Sequence, residues 1–261
     1  MNSSLSSARS DDTSRNAPLA GKTAFITGGA RGIGASIVQR LARDGANVVF
    51  TYRGSAEQAR SLAQTIEAGG GRALALQADG ADPQAVALAV DAAAREFGGI
   101  DILVNNAGAL LLGPIESFSL EDFDRTLDLN VRAVFVASKA VLPHMPDGGR
   151  IINIGSVNAD RMPFPGGAAY AMSKAALQGL VRGMARDLGP RAITVNNVQP
   201  GPVNTDMNPE SGEFADMMHG MMALPRHAHP DEIAGMVAYL AGPDAAFVTG
   251  TSLTIDGGFG A

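Results

Sequence analysis

Along the chain, short apolar runs alternate with segments whose apolar positions recur every three to four residues. Thr23-Ala24-Phe25-Ile26-Thr27 is the first run, and its β-branched and aromatic character predicts a buried strand. Gly28 to Gly34 follow, and then Ile37, Val38 and Leu41 mark one face of a helix that stops at Asp44-Gly45. Residues 47–52 predict a second strand, 55–68 a helix, and 73–78 a third strand ending at Asp79. Asp82-Pro83 opens the next helix, with the acid as N-cap and the proline in the first helical position. A fourth strand is expected over 100–104, leading into Asn105-Asn106-Ala107-Gly108. One long helix is expected over 120–143, with Asn130 in its interior. The fifth strand covers 151–154, a Gly/Pro-rich connection follows at 162–167, and a helix starts at Ala168. Residues 193–198 form a sixth strand ending in Pro200-Gly201, 230–240 a helix, and 253–255 a closing strand.

Strands that alternate with helices in this way imply an α/β fold: a doubly wound, mostly parallel, seven-stranded sheet with helices on both faces. The near-continuous apolar strands suit a sheet covered on both sides. Neither an internal repeat nor a shift of composition divides residues 17–261, so they are read as one domain. Residues 1–16, rich in Ser, Asn, Asp and Arg, are read as a disordered tail.

Composition narrows the functions available. With 46% hydrophobic and 18% charged residues in 261, the chain has enough apolar content for a large core. Its net charge of -6 argues against a general DNA or RNA binder. The absence of cysteine excludes disulfides, thiolate catalysis and cysteine metal sites. His144, His219, His227 and His229 fall in no metal-ligand spacing and are read as loop or surface residues. No apolar run reaches the roughly 18 residues that a membrane helix requires. The N-terminus lacks the apolar segment of a secretory signal, and Asp11 and Asp12 count against a transit peptide, so a cytoplasmic location is expected.

Candidate chemistry sits in two places. Gly28-Gly29-Ala30-Arg31-Gly32-Ile33-Gly34 joins a strand to a helix. Glycines there allow a tight turn and a close backbone approach, and the helix N-terminus offers free N–H groups to a phosphate. Tyr170 and Lys174 are four residues apart on a predicted helix and so share one face, a turn from each other. A nearby cation favours a phenolate, which makes the pair a candidate general acid or base. Ser156, at the end of the fifth strand, is placed to donate to the same substrate oxygen. Either motif alone is weak, since a surface helix carries such a pair by chance.

Together and in order, Thr27-Gly28-x-x-x-Gly32-x-Gly34, Asn105-Asn106-Ala107-Gly108, Asn130, Ser156, Tyr170-x-x-x-Lys174 and Pro200-Gly201 resemble the motifs of the short-chain dehydrogenase/reductase family. The resemblance runs from about Leu19 to the C-terminus. It implies a Rossmann-type domain that reduces a ketone, aldehyde or 3-oxoacyl compound to an alcohol with a nicotinamide cofactor. Tyr170 is implied as proton donor in reduction, Lys174 as the group that lowers its pKa and binds the nicotinamide ribose, and Ser156 as the residue polarising the carbonyl. Asn130 is implied to hold a water in a relay to Lys174. The cofactor is implied to lie on Thr27, Gly28, Gly32, Ile33 and Gly34, with Asp79 and Gly80 at the adenine edge. Asn106, Ala107 and Gly108 would line it, and Pro200, Gly201, Val203 and Thr205 would meet its nicotinamide end.

The chain departs from the pattern twice. Ser156 and Tyr170 are one residue further apart than in many members, so the connecting loop is expected to bulge. Gly80 replaces a bulkier apolar residue that often follows the adenine-binding acid. The runs 155–163, 199–202 and 254–261 are similar to a branch of the family in which cyclic-di-GMP-binding regulators of biofilm dispersal stand beside carbonyl and 3-oxoacyl-thioester reductases. A regulator that binds a cyclic dinucleotide is therefore the alternative to a carbonyl reductase. The complete set Asn130, Ser156, Tyr170 and Lys174 favours the enzyme.

The second strand ends Phe50-Thr51-Tyr52-Arg53-Gly54, without the acid that an NAD-selective site usually carries. Arg31 and Arg53 could instead bracket a 2′-phosphate, with Tyr52 beside them, which favours NADP(H); two exposed surface arginines are the other reading. Between Pro202 and His229 the periodicity fades and methionine is dense (Met207, Met217, Met218, Met221, Met222). Adaptable Met side chains suit a mobile lid over an apolar substrate, and an ordinary packed amphipathic helix fits equally. Family members commonly form tetramers, so a homotetramer is expected, with the apolar end Phe259-Gly260-Ala261 buried between subunits.

Overall fold

The structure, a computed structural model, describes residues 17–261, and the tail assigned to 1–16 lies outside them. Each apolar run becomes a strand: β1 (Thr23–Ile26), β2 (Asn47–Tyr52), β3 (Ala73–Gln77), β4 (Ile102–Asn105), β5 (Arg150–Ile154), β6 (Thr194–Pro200) and β7 (Ser252–Ile255). They form one sheet in the order β3-β2-β1-β4-β5-β6-β7, with every pairing parallel. The helices are α1 (Gly32–Arg43), α2 (Ala56–Ala68), α3 (Pro83–Phe97), α4 (Leu120–Leu127), α5 (Ala133–Val141), α6 (Ala168–Leu188), α7 (Glu213–His219) and α8 (Pro230–Ala241).

Alternation along each strand divides the core in two. Ile26, Phe50, Val104 and Ile152 pack under Ile37, Leu62 and Ile233 of α1, α2 and α8. Phe25, Val49, Leu103 and Ile151 pack on the other face under Val90, Ala137 and Val181 of α3, α5 and α6. Successive side chains of a strand point to opposite faces, so a strand buried on both sides must be apolar throughout. Asp82 caps α3 as expected, its carboxylate accepting from the N–H groups of Gln84 and Ala85.

Two expectations need correction. The fourth strand starts at Ile102 rather than Ile100, because the Ile100 N–H donates to His144 O, outside the sheet. The single helix over 120–143 is interrupted. After α4 the chain takes a π-helical turn over Asp128–Arg132 before α5, and a 3₁₀ turn over Leu142–His144 closes the region. Such a widened turn frees local backbone from regular pairing and is common beside functional sites. No helix among the described residues is long and apolar enough to cross a membrane.

Candidate active site

A cleft of about 610 Å³ opens at the carboxyl ends of the strands. It lies where the chain order of the sheet reverses, between β1 and β4, the position at which open parallel sheets bind ligands. One end is the glycine loop. Gly28, Arg31, Gly32, Ile33 and Gly34 all line the cleft, with the start of α1 behind them. A Cβ at Gly34 would collide with Gly28 O and lie 2.6 Å from Asn106 Nδ2, so only glycine lets loop and helix close up.

Two hydroxyls brace this loop from below. Thr51 Oγ1 accepts from Gly28 N at 3.1 Å. Thr27 Oγ1 accepts from the N–H groups of Asn106 and Ala107, at 3.0 and 3.1 Å. Thr27 is buried and off the cleft surface, so its geometry is that of a tie between the β1 and β4 loops and not of a ligand contact. Asn106 extends the tie through Nδ2 to Thr27 O and Gly28 O, 3.0 and 2.9 Å away. Free helix N–H groups, a cradle without side chains and two nearby guanidinium groups fit the phosphates of a dinucleotide.

Tyr52, Arg53, Asp79, Gly80, Ala107 and Gly108 continue the wall. Arg53 is exposed, without a side-chain partner among the described residues, whereas Arg31 Nη1 pairs with Asp206 Oδ2 of the 202–229 segment at 3.4 Å. Asp79 Oδ1 accepts from Ala81 N at 3.0 Å, which folds the β3 exit into a small turn. At Gly80 a Cβ would sit 3.8 Å from Ala107 Cβ and 3.9 Å from Leu129 Cδ2, so the glycine leaves room that a side chain could fill.

At the other end the catalytic candidates meet. Ser156 ends the β5 exit, and Tyr170 and Lys174 face it from the first turns of α6. All three line the cleft. Lys174 is buried, its Nζ donating to Ile154 O at 2.9 Å and lying 5.9 Å from the Tyr170 ring centre. Burial pulls the Lys174 ammonium down to about 8. Burial also raises the Tyr170 phenol, and the neighbouring Ser156 hydroxyl acts in the opposite, lesser sense. Burial therefore dominates at Tyr170, and the net shift is upward.

The Ser156 hydroxyl is engaged with Asn158, donating to Oδ1 and accepting from the Asn158 N–H, both at 3.1 Å. Asn130 sits in the π-helical turn and is not on the cleft surface. Its Oδ1 accepts from Ala109 N at 2.9 Å, and its Nδ2 donates to Ala109 O at 2.9 Å and Ser173 Oγ at 3.0 Å. The side chain thus pins the loop after β4 to α6.

Residues 202–229 are less irregular than their composition suggests. Val203 bridges Ala228 in parallel and Thr205 bridges Asn208, α7 presents Phe214 to Phe164 edge-on at 5.4 Å between ring centres, and Pro200, Gly201, Val203 and Thr205 line the cleft with Met207, Phe214 and Met218. His227 lies in a loop, as one of the two readings had it, but is buried, with its Nδ1 2.7 Å from His219 Nε2. Phe259 is 1% exposed within a single chain, packed on Val157 and Met218. The ring is thus buried by its own chain, while Gly260 and Ala261 stay exposed.

The sequence reading missed a buried amide row. Asn105, Asn153, Asn197 and Ser252 are register partners across β4 to β7. Asn105 Nδ2 donates to Ser138 Oγ at 3.2 Å and Asn153 Oδ1 at 2.9 Å. Asn197 Nδ2 donates to Gln199 Oε1 and Ser252 Oγ, both at 3.2 Å. A Cβ at Gly155 would lie 2.6 Å from Asn197 Oδ1, so this row floors the turn that carries Ser156. Asn at one register position of adjacent apolar strands was the signal available.

Comparison with known proteins agrees with this geometry. The family model described as enoyl-(acyl carrier protein) reductase matches residues 28–260. The cyclic-di-GMP-binding biofilm dispersal mediator protein of Escherichia coli K12 is 55% identical over 241 residues, 92% of this chain and 98% of its own. A short-chain dehydrogenase/reductase from Serratia marcescens BCRC 10948 superposes with a TM-score of 0.93 at 60% identity, covering 94% of this chain and all of that one (100%). A short-chain dehydrogenase from Burkholderia cenocepacia J2315 in complex with NADP gives 0.92 at 53% identity, with coverage of 94% and 100%.

Proposed function

The chain belongs to the short-chain dehydrogenase/reductase family, and from that premise we propose that it is an NADP(H)-dependent carbonyl reductase acting on neutral, apolar ketones or aldehydes. The observation that carries the reading is Ser156, Tyr170 and Lys174 converging on one cleft with the glycine loop. The bound nicotinamide would supply the hydride. Gly28, Gly32 and Gly34 would receive the phosphates, Arg53 and Arg31 the 2′-phosphate, and Pro200, Gly201, Val203 and Thr205 the nicotinamide end. Lys174 would hold the ribose. The NADP complex of the Burkholderia relative supports the cofactor.

Ser156 would donate a hydrogen bond from its hydroxyl to the substrate oxygen and keep its proton, turning from Asn158 Oδ1 while the Asn158 N–H keeps the Ser156 oxygen in place. Tyr170 would then protonate the substrate oxygen. A phenol raised by burial is fully protonated at neutral pH and so is ready to donate. Lys174, below its pKa of about 8, would stabilise the phenolate left behind. The apolar walls contributed by Leu110, Leu112, Phe164, Phe214 and Met218 suit a hydrophobic carbonyl compound.

The test is NADPH oxidation against a panel of aliphatic and aryl ketones and aldehydes. Turnover of an apolar member supports the reading, and none on any carbonyl sinks it. The printed name of the Escherichia coli relative favours one second reading, a regulator that binds cyclic-di-GMP on the same fold. Micromolar dinucleotide binding by calorimetry, without turnover on the panel, would select it. A homotetramer with two-fold axes belongs to the proposal, resting now on the exposed Leu120, Phe135 and Met172 of α4, α5 and α6.

A further inference from the structure

After β7 the chain does not run out into solvent but hooks back over the cleft. The Asp256 carboxylate closes the hook, Oδ1 accepting from Gly258 N at 3.0 Å and Oδ2 from Gly260 N at 2.7 Å. The hook touches three separate parts of the site. A Cβ at Gly201 would lie 2.7 Å from Asp256 Cα, so the hook rests on the Pro200-Gly201 turn. Leu224 N donates to Gly257 O at 2.9 Å. Gly258, at φ +77°, has room for no side chain, since its Cβ would stand 2.6 Å from Ala223 Cβ. On the catalytic side, Arg161 Nη1 donates to Phe259 O and, at 3.4 Å, to Ala261 O. The Arg161 guanidinium also lies 5.7 Å from the centre of the Phe259 ring.

Held from three sides, the Phe259 ring is buried against Val157 and Met218 and still lines the cleft beside Ser156. We infer that Phe259 is a specificity-determining residue: the C-terminal hook, Asp256–Ala261, is the wall that sets how large a carbonyl compound the site accepts. This rests on the carbonyl-reductase reading. A ring anchored on three elements cannot step aside for a bulky substituent as a loop side chain would. The Arg161 guanidinium is spent on main-chain oxygens and an aromatic face, so the wall recognises shape and apolar surface and not charge.

The experiment compares Phe259→Ala and Phe259→Leu with wild type, using a small methyl ketone and a diaryl ketone with NADPH. Because one or a few methylenes in an apolar pocket change selectivity by about 10- to 200-fold, the ratio of kcat/KM for the large over the small ketone should rise at least ~10-fold in Phe259→Ala. Phe259→Leu should move the ratio part of the way, and it carries the test if the alanine variant does not fold. An unchanged ratio, with both ketones slowed together, would overturn the inference and leave the ring a structural plug. A second readout needs no turnover. The chain contains no tryptophan, so Phe259→Trp gives a single reporter. Saturable quenching by an aryl ketone is expected. Emission indifferent to the ketone overturns the assignment, even if wild type reduces no carbonyl and the broader reading has failed by itself.

Discussion

Lys174 Nζ donates to Ile154 O at 2.9 Å, which ties the catalytic helix α6 to the strand that delivers Ser156. That bond keeps the ammonium buried, and burial brings it down to about 8. The charged form is therefore lost as pH rises through that value. Reduction should run at a plateau below about pH 8 and fall above it, as the phenolate loses its stabilising cation. Tyr170, raised by burial, stays protonated across this range and does not shape the limb. A kcat profile for reduction that is flat through pH 9 would assign the bond a structural role only.

Tyr170→Phe should remove the proton donor while keeping the ring and its packing. General acid catalysis is worth at least ~10²-fold, so turnover should drop by that much or more. NADPH affinity, measured by fluorescence titration, should stay near wild type because Lys174 and the glycine loop are untouched. Wild-type turnover in this variant would mean that another group protonates the product.

The two arginines should behave differently. Arg53 is exposed at the cleft without a side-chain partner among the described residues, and Arg31 already meets Asp206 at 3.4 Å. A charge-assisted hydrogen bond to a 2′-phosphate contributes roughly 1.5–3 kcal/mol, so Arg53→Ala should lose about 10- to 100-fold in NADPH efficiency while sparing NADH. Arg31→Ala should cost less. Asp206→Asn should shift the Michaelis constant for NADPH by only about two- to threefold, as an exposed pair is worth little. Equal use of NADH and NADPH by wild type would remove the basis for all three.

Asn105→Ala should test the buried amide row. It deletes the donor to Ser138 and Asn153 and leaves both acceptors buried without that partner. Stranding buried polar groups costs about 1–3 kcal/mol, and urea unfolding should register a loss of that size. A loss well under 1 kcal/mol would show that water or a rotated neighbour replaces the amide.

Local pattern was enough for much of the frame. β-branched runs, fading into glycine or proline, gave seven strands close to their observed bounds, and period-3.6 segments gave most helices. The glycine loop and the Tyr170–Lys174 spacing are also local signals, because a turn and one helical face are set by residues a few positions apart. Asn130 shows where this stops. Its side chain is satisfied by Ala109 and Ser173, far away in sequence, and the π-helical turn around it breaks a helix that looked continuous. The same reason hid Thr27 as a brace, the register row Asn105–Asn153–Asn197 and the Arg31–Asp206 pair. Proton affinity is likewise a tertiary property. Spacing puts Lys174 near Tyr170, but only burial decides that the ammonium yields near 8 before the phenol. Phe259 looked like an apolar end on sequence alone. Packing against Val157 and Met218, about a hundred and about forty residues back, makes it a wall of the cleft.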